Sequence, residues 1–482
     1  MTNRALVDVV AAGPDARARL ESDAIGTAQD TVIGMATSAP AVSVGLILAA
    51  LAATTAYAGG LIILLTAVPM LIIANAYRKL NLWNANCGAS FEWVGRSISP
   101  SLGFMAGWLM IAGNIVGTAS GVIVLGPSVL SVFGASSTAK WPNVEITTLV
   151  VLVMLVIAVL GIRLTARTQV GLAAVEYLIL IGFAIAGLVF VIGHHPGSFP
   201  ITRQWFSFSG INGRGDAAAG FLLAVFAFTG WDATVYVNEE VRHRRKNPGR
   251  AAMLAVGFLA IIYTVSIVGL QGIVSPSRLQ AHSASALVYL AQSLGGNGWA
   301  KVMALALALS VIGSTGTSIV VIARILYGMA SYRTIPGVLS TVYARFSTPA
   351  IASVVTGALL IAIGWTYLLL TSVQGAFSDL INDAGILYIA FYVLTALATI
   401  AYYRRRIFTS VSNALVLGIL PAAAAGFLVW VVIRSVQNAP AAWNWALVIT
   451  GATGLLLLLT ARYILKSVFF QIPRESDPGN RH

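Results

Sequence analysis

The stretch Phe-Thr-Gly-Trp-Asp at residues 228–232 interrupts an apolar segment that runs from about residue 217 to about residue 238. Glycine weakens a helix, and an aspartate is costly in an apolar span unless it faces a cavity or a partner. A counterpart lies five apolar segments earlier, where Thr-Ser-Ala-Pro occupies residues 37–40. Proline removes a backbone donor and crowds the preceding turn, so a helix seldom passes Pro40 undisturbed. These two interrupted segments carry the fold prediction.

Outward from these two stretches, the chain contains twelve apolar segments separated by polar connections. They lie at roughly 31–57, 61–77, 102–133, 146–162, 168–193, 217–238, 251–274, 302–323, 349–370, 380–403, 407–433 and 441–461. Crossing the hydrocarbon core of a bilayer takes about 20 predominantly apolar residues. The chain is 58% hydrophobic and 9% charged, with a mean hydropathy of +0.86, whereas soluble domains carry about 25% charged residues. We therefore predict an all-α polytopic membrane protein with twelve transmembrane helices, and the composition disfavours a soluble enzyme.

Basic residues are distributed unevenly between the two sides of this predicted bundle. Of the 29 Lys and Arg residues, 23 lie in the two tails and in every second connection, and six lie in the remaining connections. This bias follows the positive-inside rule and predicts that both termini are cytoplasmic, in a plasma or inner membrane. The formal net charge of +13 is then a topology signal. The predicted surroundings are membrane lipid, and no nucleic-acid partner is needed.

Matching features also link the third and eighth predicted spans. Span 3 carries glycines at residues 113, 117 and 121, and span 8 carries Gly-Ser-Thr-Gly-Thr-Ser at residues 313–318. Small residues at such spacing also let membrane helices approach closely. Close helix packing without any repeat is therefore the alternative interpretation. Together with the two interrupted segments, the match favours an inverted repeat of five plus five spans. We predict a cytoplasmic tail at 1–30, a ten-helix transport core at 31–403, two additional helices at 404–466 and a cytoplasmic tail at 467–482.

Three ionisable side chains fall within the predicted spans, namely Glu176, Asp232 and Asp383. An ionised group at the bilayer centre costs about 3 kcal/mol on insertion scales, so each is a functional candidate. Asp232 either faces the solute or a gate, or caps the second half of a broken helix. Glu176 either accepts a coupling proton or is a neutral, hydrogen-bonded packing residue. For Asp383, at the start of span 10, we expect an interfacial end group.

The two interruptions together predict a substrate site. Amide groups exposed at the start of a half-helix attract a carboxylate, and unwound carbonyl groups attract an ammonium group or a cation. A small zwitterion is the solute that two such helices would hold. Asn114 in span 3 is a candidate for one more hydrogen bond, with polar packing as the alternative. Hydroxyl groups of span 8 could hold a sodium ion beside carbonyl groups of span 1; they belong to Ser314, Thr315, Thr317 and Ser318.

Residue patterns of enzymes and metalloproteins are absent from the sequence. The five histidines lie outside the predicted spans and do not pair with cysteine or carboxylates at metal-ligand spacing. The sequence contains no Walker-type lysine loop and no nucleophile elbow. We predict no catalytic residue, no cofactor and no dedicated metal centre. An intramembrane enzyme, a third possibility, lacks a catalytic cluster.

Several motifs resemble those of the amino acid–polyamine–organocation (APC) permeases. Residues 228–232 resemble the F.G[FW][DE] signature of span 6 in that family, and residues 239–251 resemble its EE…KNP.RA segment. Around span 3, residues 88–94 and 103–108 are similar to its GG.Y.Y and GF.aGW patterns. Residues 323–336 with 348–349 are similar to its span 8–9 junction. The resemblance covers nearly the whole chain, and the span 6 block is its most specific part.

This resemblance implies a LeuT-type fold in which the broken parts of spans 1 and 6 hold the substrate. Carried over position by position, these parts are Thr37, Ser38, Ala39, Pro40, Ala41, Phe228, Thr229, Gly230, Trp231 and Asp232. The family's usual G.GIF break in span 1 reads Ser-Ala-Pro-Ala here, as in an alanine–proline subgroup. A lysine that couples protons in span 5 of some members has no counterpart, and Glu176 is the ionisable group of this span.

The residues and the resemblance together predict a secondary active transporter, or permease, for an amino acid or a related amine such as a polyamine. Such proteins work by alternating access. Coupling to protons, exchange of solutes and coupling to sodium remain open, and so does the direction of transport. The alternative from another class is a sensor or a channel that keeps the same fold. The sequence does not determine the substrate or the oligomeric state.

Overall fold

The computed structural model describes residues 19–135, 140–211, 214–370, 373–437 and 441–477. Within these ranges the regular structure is helical, apart from two isolated β-bridges, Ile25 with Val241 and Tyr343 with Thr348. Eleven of the described helices are long and apolar enough to cross a membrane, and a shorter apolar helix covers Asp216–Ala227. The predicted all-α polytopic fold is confirmed. The count of twelve crossing helices stays a prediction, because the sixth span is interrupted.

The observed helices keep the numbers of the predicted spans. Span 1 comprises Thr27–Thr37 and Pro40–Thr55, and span 6 comprises Arg214–Ala227 and the single turn Ala233–Tyr236. The remaining spans, in chain order from span 2 and without span 6, are Gly59–Trp83, Pro100–Val132, Lys140–Leu160, Ile162–Ile192, Asn247–Leu270, Ala286–Ser331, Ala350–Leu370, Val373–Ile407, Leu420–Gln437 and Ala441–Leu459. A short helix, Ser90–Ser97, precedes span 3.

Span 8 is the helix that differs most from its predicted length. The apolar pattern predicts residues 302–323, whereas the helix runs over Ala286–Ser331, with non-helical backbone at Gly295 and Gly296. These two glycines form a kink that separates the first helical stretch from the rest of span 8, and the polar and glycine positions of the extra residues lower the local hydropathy. Helix ends follow backbone hydrogen bonds and caps, which a hydropathy pattern does not report.

Spans 1 and 8 lie at the centre of the bundle. In their most apolar stretches, 89% of the span 1 residues and 83% of the span 8 residues are buried inside the protein, against 17% at the end of span 12. In lipid-facing helices, much of the apolar surface is not covered by other parts of the protein, because the hydrocarbon of the bilayer covers it instead. Spans 1 and 8 are therefore enclosed by other helices, as expected for the part of a bundle that contains a site.

The first helix begins earlier than predicted, and this places a carboxyl group inside the protein. Thr27 is the first helical residue, and the Gln29 side chain accepts from the Gly26 amide at 3.0 Å. Asp30, predicted as the last residue of the tail, therefore lies in the first helical turn, and it is fully buried. Neither of its carboxylate oxygens has a hydrogen-bond partner among the described residues. The polar residues Thr27, Gln29 and Asp30 hid this turn from the hydropathy pattern.

Residues 467–477, part of the predicted C-terminal tail, pack against the end of the bundle that carries Arg78, Arg96 and Arg404, which we call the basic face. The Ser467 hydroxyl donates to the Tyr332 carbonyl at 2.5 Å. Phe469 is fully buried and stacks on Phe91 with ring centroids 4.0 Å apart. This part of the tail is therefore an ordered component of the basic face.

Candidate functional site

The two interruptions lie in direct contact. In span 1 the helix ends at Thr37, and Ala39 adopts a left-handed backbone (φ +46°) ahead of Pro40, which starts the next helix without an amide hydrogen. In span 6 the helix ends at Ala227, and Gly230 has φ +98°. A Cβ on Gly230 would lie 2.8 Å from the Ser38 amide nitrogen. Only glycine allows this backbone and this approach together.

Tyr263 of span 7 connects the two interruptions. Its hydroxyl donates to the carbonyl of Ala227 at 2.7 Å and lies 3.4 Å from the carbonyl of Ser38. The same Ser38 carbonyl accepts from the Ser43 hydroxyl at 2.7 Å. A carbonyl group released at a helix end must find a partner when it is buried. Tyr263 and Ser43 supply those partners for the carbonyls of Ala227 and Ser38.

Glu176 contacts the start of the second half of span 1. Its Oε1 accepts from the Ala41 amide at 2.9 Å, and the Val42 amide lies 3.4 Å from the Ser310 hydroxyl of span 8. Glu176 is 2% exposed. A carboxylate at a helix N-terminus is stabilised by free amide groups and by the helix dipole. In this structure, the amide groups that we assigned to a solute carboxylate are occupied by side chains of spans 5 and 8.

A pocket opens beside the interruptions, between spans 1, 3, 6, 8 and 10, with a volume of about 30 Å³. This is room for one or two water molecules. Most of its lining side chains carry a hydroxyl group: Thr37, Ser38, Ser43, Thr118, Ser120, Thr229, Ser314, Ser318 and Tyr388. The rest are apolar or small: Ala39, Val42, Leu46, Gly117, Gly121 and Phe226. The pocket is in a closed form, and a solute requires its walls to separate.

The predicted site residues divide into two groups. The lining includes Thr37, Ser38, Ala39 and Thr229 of the predicted substrate site, and Ser314 and Ser318 of the predicted sodium site. The other predicted residues pack around the pocket without lining it: Pro40, Ala41, Asn114, Glu176, Phe228, Gly230, Trp231, Asp232, Thr315 and Thr317. Asn114 donates within its own helix, to the Met110 carbonyl at 3.1 Å, which fits the alternative of polar packing.

Asp232 and Trp231 face an aromatic cluster behind the pocket. One carboxylate oxygen of Asp232 accepts from the Tyr392 hydroxyl at 2.8 Å, and the other has no hydrogen-bond partner among the described residues. Trp231 is fully buried and packs against Tyr77 and Tyr392 at centroid distances of 5.1 and 5.4 Å. Although Asp232 immediately precedes the turn Ala233–Tyr236, no side-chain cap is formed there. Asp383, expected at an interface, is instead 8% exposed within helix Val373–Ile407.

Two of the four hydroxyl groups of the predicted sodium site donate to backbone carbonyls. Ser314 donates to Val311, Thr317 contacts the carbonyls of Gly313 and Ser314, and Ser318 accepts from Thr118 at 2.8 Å. The Thr315 hydroxyl is buried without a hydrogen-bond partner among the described residues. Within the same residues, no group of three or more His, Cys, Asp or Glu could hold a metal ion.

The basic face is closed by a buried ion pair. Arg324 of span 8 forms two contacts of 2.9 Å with the carboxylate of Glu240, and both side chains are fully buried. The Glu240 carbonyl accepts from the amides of Ala24 and Ile25 at 2.8 and 3.2 Å. The Ile25 carbonyl accepts in turn from the Arg242 amide at 2.9 Å. The segment after span 6, the segment before span 1 and the end of span 8 therefore close this face together.

The neighbouring residue Glu239 extends the closure to the loop after span 2. Its Oε1 accepts from the Cys87 amide at 3.1 Å. Burial raises the pKa of the Glu239 carboxyl above its ordinary value, because water is excluded from around the charged form. The two adjacent glutamates thus bind different segments of the basic face. Glu239 binds the loop after span 2, and Glu240 binds span 8.

Three residues that organise this region were not predicted: Tyr263, Tyr388 and Arg324. Tyrosines in apolar spans are common, so no local pattern distinguishes Tyr263 or Tyr388. Arg324 carries a usable signal, since it lies only one residue beyond the predicted end of span 8. An arginine so close to the apolar core requires a buried partner, and the paired glutamates after span 6 were the available carboxylates.

A family model described as amino acid permease matches residues 29–455. The chain belongs to this amino acid permease family. The matched range includes both interruptions, the pocket and the ion pair. The resemblance to APC permeases is confirmed.

Individual relatives in this permease family are distant. The chain is 30% identical over 163 residues to Asc-type amino acid transporter 1 of Homo sapiens, covering 33% of this chain and 31% of that protein. It is 26% identical over 312 residues to amino-acid permease GAP5 of Candida albicans, covering 62% of this chain and 49% of that protein. An uncharacterized transporter of Mycobacterium tuberculosis is 25% identical over 347 residues, covering 71% of this chain and 73% of that protein. The chain thus spans about a third to a half of the length of the first two.

A solved structure has the fold of this permease. The crystal structure of MhsT in complex with L-phenylalanine matches with a TM-score of 0.62 at 16% identity, covering 86% of this chain and 99% of that chain. At this identity the likeness concerns the fold alone. The LeuT-type fold with two interrupted helices is thereby confirmed for this member of the permease family.

Proposed function

We propose that this permease is a secondary active transporter that moves an amino acid across a cytoplasmic membrane by alternating access. The observation that carries the proposal is the contact between the two interrupted helices beside a hydroxyl-lined pocket. Irregular backbone inside a membrane protein is tolerated where it lines a cavity, and transporters use it to bind solutes. The names of the relatives, which include amino acid transporters, support the same solute class.

Two features support alternating access over a channel. The pocket is closed to about 30 Å³, and the basic face is sealed by the fully buried pair Arg324–Glu240. A channel needs a continuous path, whereas a carrier opens its site to one side at a time. We propose that the basic face is cytoplasmic and that both termini lie there, since cytoplasmic segments of membrane proteins are enriched in Lys and Arg.

We propose that Glu176 carries the coupling proton. Its carboxylate caps the half-helix that starts at Pro40, so gain or loss of a proton changes the charge at the interruption itself. A protonated carboxyl group can still accept from Ala41 but no longer interacts with the helix dipole as an anion. Protonation would therefore loosen the contact between span 5 and span 1, which is a step that a transport cycle can use.

Uptake into proteoliposomes tests the proposed function. We expect labelled neutral amino acids to accumulate when the lumen is more alkaline than the medium, because inward proton flow then drives the solute. Choline in place of sodium is expected to leave the rate unchanged. Loss of uptake in choline would assign the coupling to sodium and to the hydroxyl groups of span 8. Indifference to the pH gradient, to sodium and to counter-solute would contradict secondary active transport.

The substitution Glu176→Gln tests the coupling role. Glutamine keeps an oxygen that accepts from the Ala41 amide, so folding and solute binding are expected to persist. It cannot take up or release a proton, so we expect exchange of solute to continue while uptake driven by a pH gradient falls at least about tenfold, which is the effect of about 1.4 kcal/mol. The measurement compares exchange with gradient-driven uptake in the same vesicles. An unchanged gradient response would assign Glu176 to packing.

A further inference from the structure

The wall of the pocket carries no full charge. Among the described lining residues there is no Asp, Glu, Lys, Arg or His, and the lining instead combines hydroxyl groups with apolar and small residues. Several hydroxyl groups already donate within the protein: Thr37 to Ile33, Ser38 to Gly34 and Thr229 to Phe226. A hydroxyl that donates inward still presents its lone pairs to the cavity. The wall therefore offers hydrogen bonds but no counter-ion.

Two buried carboxylates beside the interruptions are engaged by other groups of the protein. Glu176 accepts from the Ala41 amide, and Asp232 accepts from the Tyr392 hydroxyl. Neither belongs to the lining. A cationic side chain bound in the pocket would meet no anionic partner there, and an anionic side chain would meet no cationic one. Moving an unpaired charge from water into a buried site is strongly unfavourable.

A zwitterion carries one charge of each sign, and the two helix ends provide partial charges of both signs. A solute in this pocket lies beside both helix ends. The N-terminus of Pro40–Thr55 adjoins the lining residues Thr37, Ser38 and Ala39. The C-terminus of Arg214–Ala227 adjoins the lining residues Phe226 and Thr229. Helix termini carry about half an elementary charge each, positive at the N-terminus and negative at the C-terminus. The Ala41 and Val42 amides already bind Glu176 and Ser310, so the carboxyl group of an amino acid has to share or displace these contacts, whereas a further charge on its side chain meets no group of opposite charge in the lining.

The largest side chains of the lining limit the size of the solute's side chain. They belong to Leu46, Phe226 and Tyr388, and they narrow the pocket to about 30 Å³ in its closed form. Tyr388 is 3% exposed and packs on Phe391 and Tyr392 at centroid distances of 5.2 and 5.8 Å, so it has little freedom to withdraw. Gly121 supplies the remaining space, since an added Cβ there would have no neighbour closer than 3.9 Å.

We infer that this pocket selects small uncharged amino acids, of the size of glycine, alanine and serine, over charged amino acids, polyamines and large apolar amino acids. The inference rests on the proposed function, because it concerns the solute of that same site. It assigns Leu46, Phe226 and Tyr388 as the residues that set the size limit, and the uncharged wall as the feature that rejects ionic side chains.

Exchange in proteoliposomes loaded with unlabelled alanine tests the inference. Labelled alanine is expected to enter, and glycine and serine are expected to compete at least tenfold better than lysine, glutamate, putrescine or phenylalanine. Competition by lysine, putrescine or phenylalanine equal to that by serine would overturn the inference while leaving transport intact. Absence of exchange with alanine, lysine, glutamate and phenylalanine alike would instead reject the proposed function.

Two variants of the wall test the assignment of the size limit. Leu46→Ala enlarges the pocket, so the rate of leucine exchange relative to alanine is expected to rise at least tenfold, the range that added hydrocarbon contacts provide. Leu48→Ala is the matched control, because Leu48 is buried in the same helix outside the lining. Gly121→Ala narrows the pocket without a clash and is expected to lower alanine exchange more than glycine exchange. The assignment would be overturned if the leucine-to-alanine ratio of exchange rates were unchanged in Leu46→Ala and the alanine-to-glycine ratio were unchanged in Gly121→Ala.

Discussion

Replacing Gly230 by alanine is expected to reduce the initial uptake rate about tenfold or more. A side chain at φ +98° is strained by about 1–3 kcal/mol, and its Cβ would meet the backbone of Thr37 and Ser38 at 2.8–2.9 Å. Backbone atoms cannot rotate away as a flexible side chain can. The variant must therefore separate the two interruptions, and with them the walls of the pocket.

The measurement is uptake per folded transporter, with folded protein quantified by size-exclusion chromatography in detergent. Gly257→Ala in span 7 is the matched control, since an added Cβ there has no atom within 4 Å and the backbone is helical. Alanine is a better helix former than glycine, so this control is expected to transport normally. Equal rates for Gly230→Ala and Gly257→Ala would show that close contact between the interruptions is not required.

The second large effect is expected at the ion pair that closes the basic face. Arg324→Met leaves the Glu240 carboxylate fully buried without its cationic partner, and breaking a buried pair in this way costs about 3–5 kcal/mol. We expect a marked fall in the thermal unfolding midpoint in detergent. We also expect the basic face to open more often, because the N-terminal segment and span 8 are both attached to Glu240.

Cys87 reports that opening, because it is the single cysteine of the chain and is fully buried beside Glu239. In Arg324→Met, labelling of Cys87 by a maleimide is expected to be at least about tenfold faster, which corresponds to a shift of about 1.4 kcal/mol between closed and open forms. Unchanged labelling together with unchanged stability would show that the pair does not hold this face closed.

A double variant distinguishes the effect of losing the ion pair from the effect of leaving a buried charge unpaired, and a variant of an exposed pair serves as the control. Replacing both residues, in the double variant Glu240→Gln with Arg324→Met, is expected to recover much of the stability, since no uncompensated charge then remains buried. Arg163→Met removes the partner of Glu21 in a pair whose side chains are 57% and 38% exposed. Exposed pairs contribute about 0–1 kcal/mol, so this control is expected to change the midpoint little.

The interruptions themselves could be predicted from short stretches of sequence. Pro40 lacks an amide hydrogen and Gly230 tolerates a positive φ, and both are local properties that act wherever the residue is placed in a helix. Their location in the first helix of each five-span half followed from counting apolar segments. The assignment of a LeuT-type fold and of the permease family is confirmed, while the roles of the individual site residues stay predictions.

The side chains around the interruptions could not be placed in this way. Asp232 and Trp231 stand next to Gly230 in the sequence, yet they face Tyr392 and Tyr77 behind the pocket. Once a helix is broken, the 100° step between residues no longer applies, so the direction of each side chain depends on the new backbone angles. The lining residues Tyr388 and Phe226 were missed for a related reason, since aromatic residues are frequent on every face of a membrane helix.

What the sequence determined by itself is therefore the set of properties that depend on composition and on single residues: the membrane class, the order of apolar helices and the two points where they break. The tertiary structure alone decided which groups meet at those points. Glu176 caps Ala41 from 135 residues away, and Arg324 pairs with Glu240 across 84 residues. Such contacts depend on how whole helices pack against one another, so the sequence can indicate that Arg324 needs a buried partner but does not place that partner.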